Sequence, residues 1–300
     1  MLTLVYQAYG QKAIYQEAAL SILTWLHQPG SAASQVLVYT DAPEALQAMI
    51  GTRLNVFYQP VSADQWQAWR GEIDFVHRVK ICVLQDALMR VAGPLLYLDT
   101  DTVWTAPADT LAATLAAGRR LMHLKEGSLA AGNALNRKIY KALSGQVVKL
   151  ENGDTFQANA TLMMYNAGVL GLLPQDAPLL AIVLALTEAL YRALPKHVME
   201  QLAFSYVLQQ AGPVDSADGP ILHYWNLKAL REQLPAFFEN LQTLAPEVWP
   251  AAASALGQEL IAPYEAELAY RGLPGWRRAF LKLAGGRWQM PDLQTARPRA

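Results

Sequence analysis

Short apolar runs and longer amphipathic runs alternate through the first hundred residues of the chain. Apolar runs of the length of buried strands occupy residues 2–6, 35–39, 55–59 and 95–98. Between them, apolar positions at helical spacing cover residues 16–27, 42–50 and 75–91. This alternation predicts an α/β fold with a mainly parallel central sheet covered by helices on both faces, in which ligands bind at the carboxyl ends of the strands.

The pattern is looser beyond residue 160. It predicts two strands around a polar corner, two helices and a short late strand, at residues 161–165, 168–172, 179–194, 198–210 and 221–224. Residues 228–271 have a helical pattern interrupted by prolines. We therefore predict an α/β domain over residues 1–230, a helical extension packed on it over residues 231–270, and a tail over residues 271–300.

The strand at residues 95–98 is followed by two aspartates, Asp99 and Asp101. Residues two positions apart in a strand point to the same face, so both carboxylates can contact one cation. Carboxylate oxygens suit Mg²⁺ and Mn²⁺, which often complete their coordination with phosphate oxygens and water. The alternative is a solvated strand end, or a cap for a helix that begins near Ala106. The apolar strand before the pair favours a metal site.

Two classes of enzyme present a carboxylate pair in this way. Haloacid-dehalogenase-like phosphatases use the pattern DxDx(T/V), which Asp99, Asp101 and Val103 satisfy, with the first aspartate as nucleophile. Nucleotide-sugar-dependent glycosyltransferases use the pair to hold a metal on the donor diphosphate. The phosphatase pair normally follows the first strand, whereas three predicted strands precede it here, which favours the transferase.

Four further motifs surround the aspartate pair in a fixed order. They are Arg78-Val79-Lys80, Tyr165-Asn166-Ala167-Gly168-Val169, Glu200-Gln201, and His223-Tyr224 with Lys228 five residues past the histidine. This order resembles the retaining glycosyltransferases of family eight, the group of glycogenin and of bacterial lipopolysaccharide galactosyl- and glucosyltransferases, over about residues 1–230. The resemblance implies a GT-A fold, a nucleoside-diphosphate sugar as donor, and retention of the anomeric configuration.

His223 is expected to be the third metal ligand, because imidazole beside two carboxylates is a usual ligand set for Mn²⁺. Arg78 and Lys80 bring positive charge to the diphosphate, but on a helix they are about 200° apart, so one of them points into the site. The resemblance favours Arg78, with Lys80 as a donor contact or a solvated residue. Lys228 is expected to neutralise the leaving nucleoside diphosphate, with a solvated helix start as the alternative.

The corner Asn166-Ala167-Gly168 is expected to bind sugar hydroxyls, with a plain β-turn as the alternative. Glu200-Gln201 stands where the family has Asp-Gln, and the resemblance places the pair beside the donor sugar. Glu200 also suits the first turn of a helix.

Tyr9, after the first strand, is expected to stack on the donor base. The chain lacks the family's usual uridine-reading residues there, so UDP is only the default. Asp41 is expected to cap the helix near Pro43, with a contact to the ribose of the donor as the alternative.

Composition supports a globular protein, since hydrophobic residues make up 53% and charged residues 16% of the chain. The single cysteine, Cys82, excludes an internal disulfide and is expected to be buried. No signal peptide is predicted, and the longest apolar stretch, residues 177–186, is shorter than the ~20 residues of a membrane span. We therefore expect a cytoplasmic protein.

The net charge of -1 is a cancellation between two regions. Residues 271–300 hold seven basic residues, among them Arg297 and Arg299, and one acidic residue, so this tail carries +6 and the rest -7. Basic and bulky apolar residues alternate from Trp276 to Leu283. This favours contact of residues 271–290 with an anionic inner membrane face; the alternative is a solvated, partly disordered end, especially after Pro291. No nucleic-acid-binding fold accompanies the patch, so nucleic acid is not an expected partner.

Taken together, the sequence predicts a metal-dependent glycosyltransferase with a carbohydrate, glycolipid or protein acceptor, as in bacterial polysaccharide synthesis. The enzymatic alternatives are the phosphatase and a sugar-1-phosphate nucleotidyltransferase, whose glycine-rich loop only Gly10-Gln11-Lys12 approaches. A carbohydrate-binding module without catalysis is the alternative of another class. The sugar, the acceptor and the oligomeric state stay open.

Overall fold

The computed structural model describes residues 1–151 and 153–296. The strands are β1 (Thr3–Ala8), β2 (Gln35–Thr40), β3 (Val56–Pro60), β4 (Leu95–Leu98), β5 (Thr102–Trp104), β6 (Arg120–Met122), β7 (Lys125–Ser128), β8 (Val147–Lys149), β9 (Thr155–Gln157), β10 (Met163–Tyr165), β11 (Val169–Leu172), β12 (Val214–Ser216) and β13 (Ile221–His223). The α-helices are α1 (Lys12–Leu26), α2 (Pro43–Ile50), α3 (Ala63–Arg70), α4 (Arg78–Arg90), α5 (Asp109–Ala116), α6 (Ala134–Leu143), α7 (Ala177–Ala193), α8 (Met199–Gln210), α9 (Leu234–Gln242), α10 (Trp249–Glu259), α11 (Ile261–Gly272) and α12 (Gly275–Leu283).

Seven strands form the central sheet, in the order β12-β6-β11-β4-β1-β2-β3. Strand β1 is parallel to β2 and β4, β2 is parallel to β3, and β12 is parallel to β6. Only β11 runs against its neighbours β4 and β6 among the described strands of this sheet. The predicted α/β fold with a mainly parallel sheet is therefore confirmed. Strand β4 lies near its centre with all four residues buried, as its unbroken apolar sequence predicts.

Helices cover both faces of this sheet, as predicted. On one face, α1 packs with the C-terminal helices α9 and α10 in a core that contains Leu20, Leu23, Phe237 and Leu256. On the other face, α4, α7 and α8 enclose a second core. Residues 231–260 thus share a core with β1 and α1.

Antiparallel pairings bring the late segments to the end of β4. Val169 of β11 pairs with Leu98, and the backbone N–H of Asp99 donates to the oxygen of Gly168 at 2.8 Å. Strand β13 pairs with β5, so that His223 lies opposite Thr102. The carboxyl end of β4 is therefore the meeting point of residues far apart in the sequence.

The C-terminal segment returns to the body of the protein. Gln233 donates to the oxygen of Pro291 and accepts from the N–H of Leu293, both at 2.9 Å. Leu293 and Ala296 are each 4% exposed. The alternative of a solvated end after Pro291 is therefore wrong for Leu293 and Ala296, whereas Gln294 between them is exposed; Arg297 and Arg299 lie outside the described residues.

No helix in the described part of the chain is long and apolar enough to cross a membrane. The apolar stretch at residues 177–186 lies in α7, whose Leu180 and Val183 are fully buried. Cys82 is buried in α4 as predicted, and this burial raises the pKa of its thiol.

Candidate active site

The structure brings the three predicted metal ligands together at the end of β4. One ligand atom from each of Asp99, Asp101 and His223 lies within 4.8 Å of the others. His223 Nε2 is 3.0 Å from Asp101 Oδ1 and 3.9 Å from Asp99 Oδ2. Two carboxylates and one imidazole form a donor set that suits Mn²⁺ or Mg²⁺, so these residues fit the metal that the sequence predicts.

Asn166 sets the orientation of the His223 ring. The N–H of Gly168 donates to Asn166 Oδ1 at 2.8 Å, which marks this atom as the amide oxygen. His223 Nδ1 is 3.0 Å from the same oxygen and therefore donates to it. This bond leaves Nε2 to face the two carboxylates, as a metal ligand requires.

Charge pairing outweighs burial in this group. Burial alone would raise the pKa of Asp101, but His223 and Lys228 hold it well below its usual range. Burial likewise acts to lower the pKa of His223, yet Asp101 raises it above its ordinary value. The group therefore holds concentrated negative charge that is already partly neutralised by protein cations.

Lys80 is the cation that holds Asp99. Its ammonium lies 3.0 Å from Asp99 Oδ1 and donates to the oxygen of Ala167 at 2.9 Å. Tyr97 donates to Asp99 Oδ1 at 2.9 Å. Because Lys80 is only 2% exposed, it is a built-in counter-ion of the site, and the alternative of a solvated lysine is wrong.

Arg78 points away from the aspartate pair. Of the two basic residues at the start of α4, Lys80 therefore faces the aspartates, where Arg78 was expected to do so. Its Nε donates to Glu188 at 2.6 Å, and its Nη1 donates to the oxygen of Trp69 at 2.8 Å. The guanidinium packs so closely on Gly71 that a Cβ there would lie 2.7 Å from Arg78 Nε. Arg78 thus links α4 to α7 and to the end of α3, and its contact with the donor stays a prediction.

Lys228 pairs with the second aspartate from the opposite side. Its Nζ donates to Asp101 Oδ2 at 3.0 Å, while its side chain is 56% exposed. The short 3-10 helix Lys228–Glu232 is anchored by Arg231, which forms two 2.8 Å hydrogen bonds to the buried carboxylate of Glu17. Lys228 therefore extends from a fixed base into open solvent beside Asp101.

The corner at residues 166–168 lies between β10 and β11, as predicted, and Glu126 of β7 supports it. Asn166 Nδ2 donates to Glu126 Oε1 at 3.3 Å, and Gln201 Nε2 donates to Glu126 Oε2 at 2.9 Å. Gln201 Oε1 accepts from the N–H of Ala167 at 3.4 Å. Glu126 thus connects the corner to Gln201, and the sequence offered no sign of it.

Glu200 is buried at the start of α8, on the far side of Lys80. Its Oε1 is 3.9 Å from Lys80 Nζ and 3.8 Å from His77 Nδ1. Its Oε2 has no hydrogen-bond partner within the described part of the chain. Glu200 therefore lies next to Lys80, and Gln201 lies next to the corner.

Tyr9 lies after β1 and stacks on Trp66, with ring centroids 4.1 Å apart. One face of Tyr9 is thus covered by protein, and its stacking on a base stays a prediction. Asp41 accepts from the N–H of Gly10 at 3.2 Å and from the hydroxyl of Tyr15 at 2.7 Å. No side chain caps α2, so the expected capping role of Asp41 is wrong.

His123 lies behind His223 and was not singled out in the sequence. Its Nε2 donates to the backbone oxygen of Ile221 at 3.0 Å. Burial, with a smaller effect of His223, lowers the pKa of His123 to about 3. His123 is therefore a neutral support for β13.

No protein-family profile and no curated protein matches the chain. Among solved structures, it is similar to mouse xyloside xylosyltransferase 1 in its apo form, with 11% identity, a TM-score of 0.46, and coverage of 72% of this chain and 84% of that one. It is also similar to the apo structure of the WbbM bifunctional glycosyltransferase, with 12% identity, a TM-score of 0.45, and coverage of 78% of this chain but 44% of that one. Likeness this distant does not carry an activity over to the chain.

Proposed function

We propose that this protein is a metal-dependent glycosyltransferase of the GT-A type. It takes a sugar from a nucleoside-diphosphate donor, with UDP favoured, and transfers it to a carbohydrate or glycolipid acceptor. The observation that carries the proposal is the Asp99, Asp101 and His223 group at the carboxyl end of β4, with a lysine on each aspartate.

The charge of this group supports a diphosphate ligand. Lys80 and Lys228 cancel the formal charges of Asp99 and Asp101. Glu200 lies 3.9 Å from Lys80 and adds a third negative charge, so the group has a formal charge of -1. A sugar diphosphate alone would bring this charge to -3, whereas a diphosphate with a divalent cation would leave it at -1. The site therefore fits a diphosphate together with a metal better than a diphosphate alone.

When bound, a divalent cation would supply Lewis-acid neutralisation of the departing diphosphate. Asp99, Asp101 and His223 would hold it. The buried Lys80 keeps Asp99 in place, and the exposed Lys228 is free to move from Asp101 to a phosphate oxygen.

We assign the donor sugar to the corner Asn166-Ala167-Gly168 and to the Glu200-Gln201 pair. Retention of configuration, as in family eight, would use the carboxylate or amide of that pair at the reacting face of the sugar. Gln201 is the better anchored of the two, since both ends of its amide are hydrogen-bonded.

Calorimetric titration of the full chain with UDP and Mn²⁺ tests this proposal. We expect binding that requires both, and a loss of at least about 10–100-fold in Asp101→Asn, a change typical of disturbed metal sites. Asp109→Asn, at an exposed position of α5, is the matched control and should bind normally. If no nucleoside diphosphate of any base binds with Mn²⁺ or Mg²⁺ present, the proposal is wrong.

We also propose that the basic aromatic tail contacts an anionic membrane surface, at the inner face of a membrane if the protein is cytoplasmic. On α12, Trp276, Phe280 and Leu283 are 69%, 67% and 89% exposed. Their spacing places them on one helical face, with the cations of the helix to either side, as in interfacial helices.

Sedimentation with vesicles rich in phosphatidylglycerol tests the membrane contact. We expect salt-sensitive binding that Trp276→Ser with Phe280→Ser weakens. Leu54→Ser removes an apolar side chain that is 96% exposed, outside the tail, and should have no effect. Equal binding by the double variant and by the unaltered chain would refute the contact.

A further inference from the structure

A cleft of about 890 Å³ lies near the C-terminal end of the described chain and reaches Lys228. It is bounded by the 3-10 helix Lys228–Glu232, by the last turn of α11 and by residues 287–292. Lys228 lines this cleft, and its ammonium contacts Asp101. A molecule in the cleft would therefore be separated from the proposed donor diphosphate by the side chain of Lys228.

Polar groups without partners lie along this cleft. Asn226 is 4% exposed, and both its amide nitrogen and its amide oxygen lack a hydrogen-bond partner within residues 1–151 and 153–296. Oε2 of the buried Glu267 likewise lacks a hydrogen-bond partner among these residues, although Oε1 accepts from Arg271. Unpaired buried polar atoms are costly, and a turn of these side chains toward the cleft would let the hydroxyls of a ligand satisfy them.

Two arginines also make the cleft suitable for an anionic group on the ligand. Arg278 and Arg287 line it, and neither guanidinium has an ion pair with a carboxylate in the described part of the chain. Helix α12 presents Arg278 to the cleft while Trp276 and Phe280 are turned to solvent. Guanidinium groups that lack an internal carboxylate suit a phosphate or carboxylate on a ligand.

The remaining lining residues limit the ligand further. Among the charged lining residues, Lys228 pairs with Asp101 and Arg271 pairs with Glu267. The other lining charges are two arginines, Arg278 and Arg287, and two carboxylates, Glu232 and Asp292, and this balance suits a ligand with one acidic group better than a polyanion. Tyr270 and Trp288 add aromatic surface against which the apolar face of a sugar ring can pack.

We propose that this cleft binds the acceptor, and that the acceptor is a glycan carrying a single acidic group such as a phosphate. The hydroxyls of the glycan lie along Asn226, and its acidic group meets Arg278 and Arg287. This assignment rests on the proposed glycosyl transfer, because the Lys228 end of the cleft is where the donor diphosphate would lie.

Binding of glucose 6-phosphate, glucose and inorganic phosphate to the full chain, measured by ligand-observed NMR titration, tests the proposal. We expect glucose 6-phosphate to bind at least about tenfold more tightly than either of the other two probes. The double variant Arg278→Gln with Arg287→Gln should lose this preference. Both residues are exposed, so the fold should tolerate the change, and Arg277→Gln on the same helix is the control.

A second comparison separates a soluble acceptor from a lipid-linked one. Phosphatidylinositol and phosphatidylglycerol carry the same charge, but only the inositol lipid has a ring of hydroxyls beside its phosphate. A preference for phosphatidylinositol vesicles that the double variant loses would indicate a lipid-linked acceptor. Preference for glucose 6-phosphate without any preference between the lipids would indicate a soluble one.

Failure of this proposal is distinguishable from failure of the proposed function. The double variant should bind UDP with Mn²⁺ normally, and Asp101→Asn should still bind glucose 6-phosphate. If the double variant keeps the preference of the unaltered chain, or if neither glucose 6-phosphate nor phosphatidylinositol is preferred by that chain, the cleft is not an acidic-glycan site. A loss of UDP binding alone would refute only the donor assignment.

Discussion

Gly168 is the position at which one added methyl group tests the proposed metal site. A Cβ there would lie 2.2 Å from His223 Nδ1 and 2.9 Å from Asn166 Oδ1. Since non-bonded heavy atoms prefer about 3.5–4.0 Å, the His223 ring must move by roughly 1 Å or more. We expect Gly168→Ala to turn His223 away from Asp99 and Asp101 and to break its hydrogen bond to Asn166.

Two magnitudes follow from this displacement. Overpacking of a buried position costs about 1–3 kcal/mol in the free energy of unfolding, so Gly168→Ala should unfold a few degrees earlier but remain folded at 25 °C. Displacement of a metal ligand should weaken Mn²⁺ binding in the presence of UDP by at least about 10–100-fold. Thermal unfolding followed by circular dichroism measures the first effect, and calorimetric titration with Mn²⁺ measures the second.

Gly219→Ala is the matched control. Gly219 precedes β13, and no heavy atom lies within 4 Å of the position its Cβ would take. It should leave both stability and metal binding unchanged, whereas His223→Ala should reproduce the binding defect of Gly168→Ala. Full Mn²⁺ affinity in a folded Gly168→Ala protein would refute the argument that His223 is held as a ligand.

Two further predictions concern buried ionisable groups that are not part of the metal-ligand group. The pKa of His123 is about 3 in the folded protein and about 6.5 in the unfolded chain. The stabilising contribution of the neutral imidazole is therefore fully present above pH 6.5, and the free energy of unfolding falls by up to about 1.4 kcal/mol per pH unit as pH falls toward 3. Urea unfolding at pH 7 and pH 5 should show a smaller loss for His123→Gln than for the unaltered chain, and an equal loss would contradict this prediction. The fully buried carboxylate of Asp176 accepts two hydrogen bonds from Arg120, at 2.7 and 3.0 Å, so Arg120→Met should cost about 3–5 kcal/mol of unfolding free energy. Arg119→Met breaks only an exposed ion pair and should cost no more than about 1 kcal/mol, and similar costs for both would contradict the role of burial.

The strands of the first hundred residues were predictable because each is a continuous apolar run. Residues 95–98 were predicted as a strand and coincide with β4, and β1 to β3 differ from prediction by one or two residues at their ends. The short helix α3 was missed because its apolar pair, Trp66 and Trp69, stands among polar residues. That pair packs against Tyr9 and Tyr39, a tertiary contact that local sequence does not show.

The strands in the middle of the chain were harder still to predict from local sequence. Strands β5 to β9 are three or four residues long, too short for alternation to identify them. Strand β5 gains its structure from pairing with β13, more than a hundred residues later. The sequence did not reveal Glu126 for this reason, since β7 has the sequence KEGS and its partner among the described strands is the distant β10.

The candidate site was predictable where strand ends define it. Asp99, Asp101 and His223 all lie at the ends of apolar runs, and the structure brings them together. Helical spacing showed that Arg78 and Lys80 point in different directions, but the side that faces the sheet depends on how α4 is rotated. The burial of Val79 and Val83 against the second core sets that rotation, and it turns Lys80 toward Asp99.

Lys228 and a metal ion would compete for the same carboxylate. In the absence of nucleotide, the ammonium 3.0 Å from Asp101 Oδ2 repels an incoming divalent cation, whereas a bound diphosphate gives that ammonium a second partner. Lys228→Met should therefore strengthen the binding of Mn²⁺ alone by roughly tenfold, from about 1–2 kcal/mol of relieved repulsion near the surface. It should also weaken UDP binding in the presence of Mn²⁺, and Lys196→Met, at an exposed position elsewhere, should change neither affinity. General damage to the fold cannot raise the affinity for Mn²⁺ alone while lowering the affinity for UDP in the presence of Mn²⁺. A shift of both affinities in the same direction would therefore show that Lys228 does not mediate between metal and diphosphate.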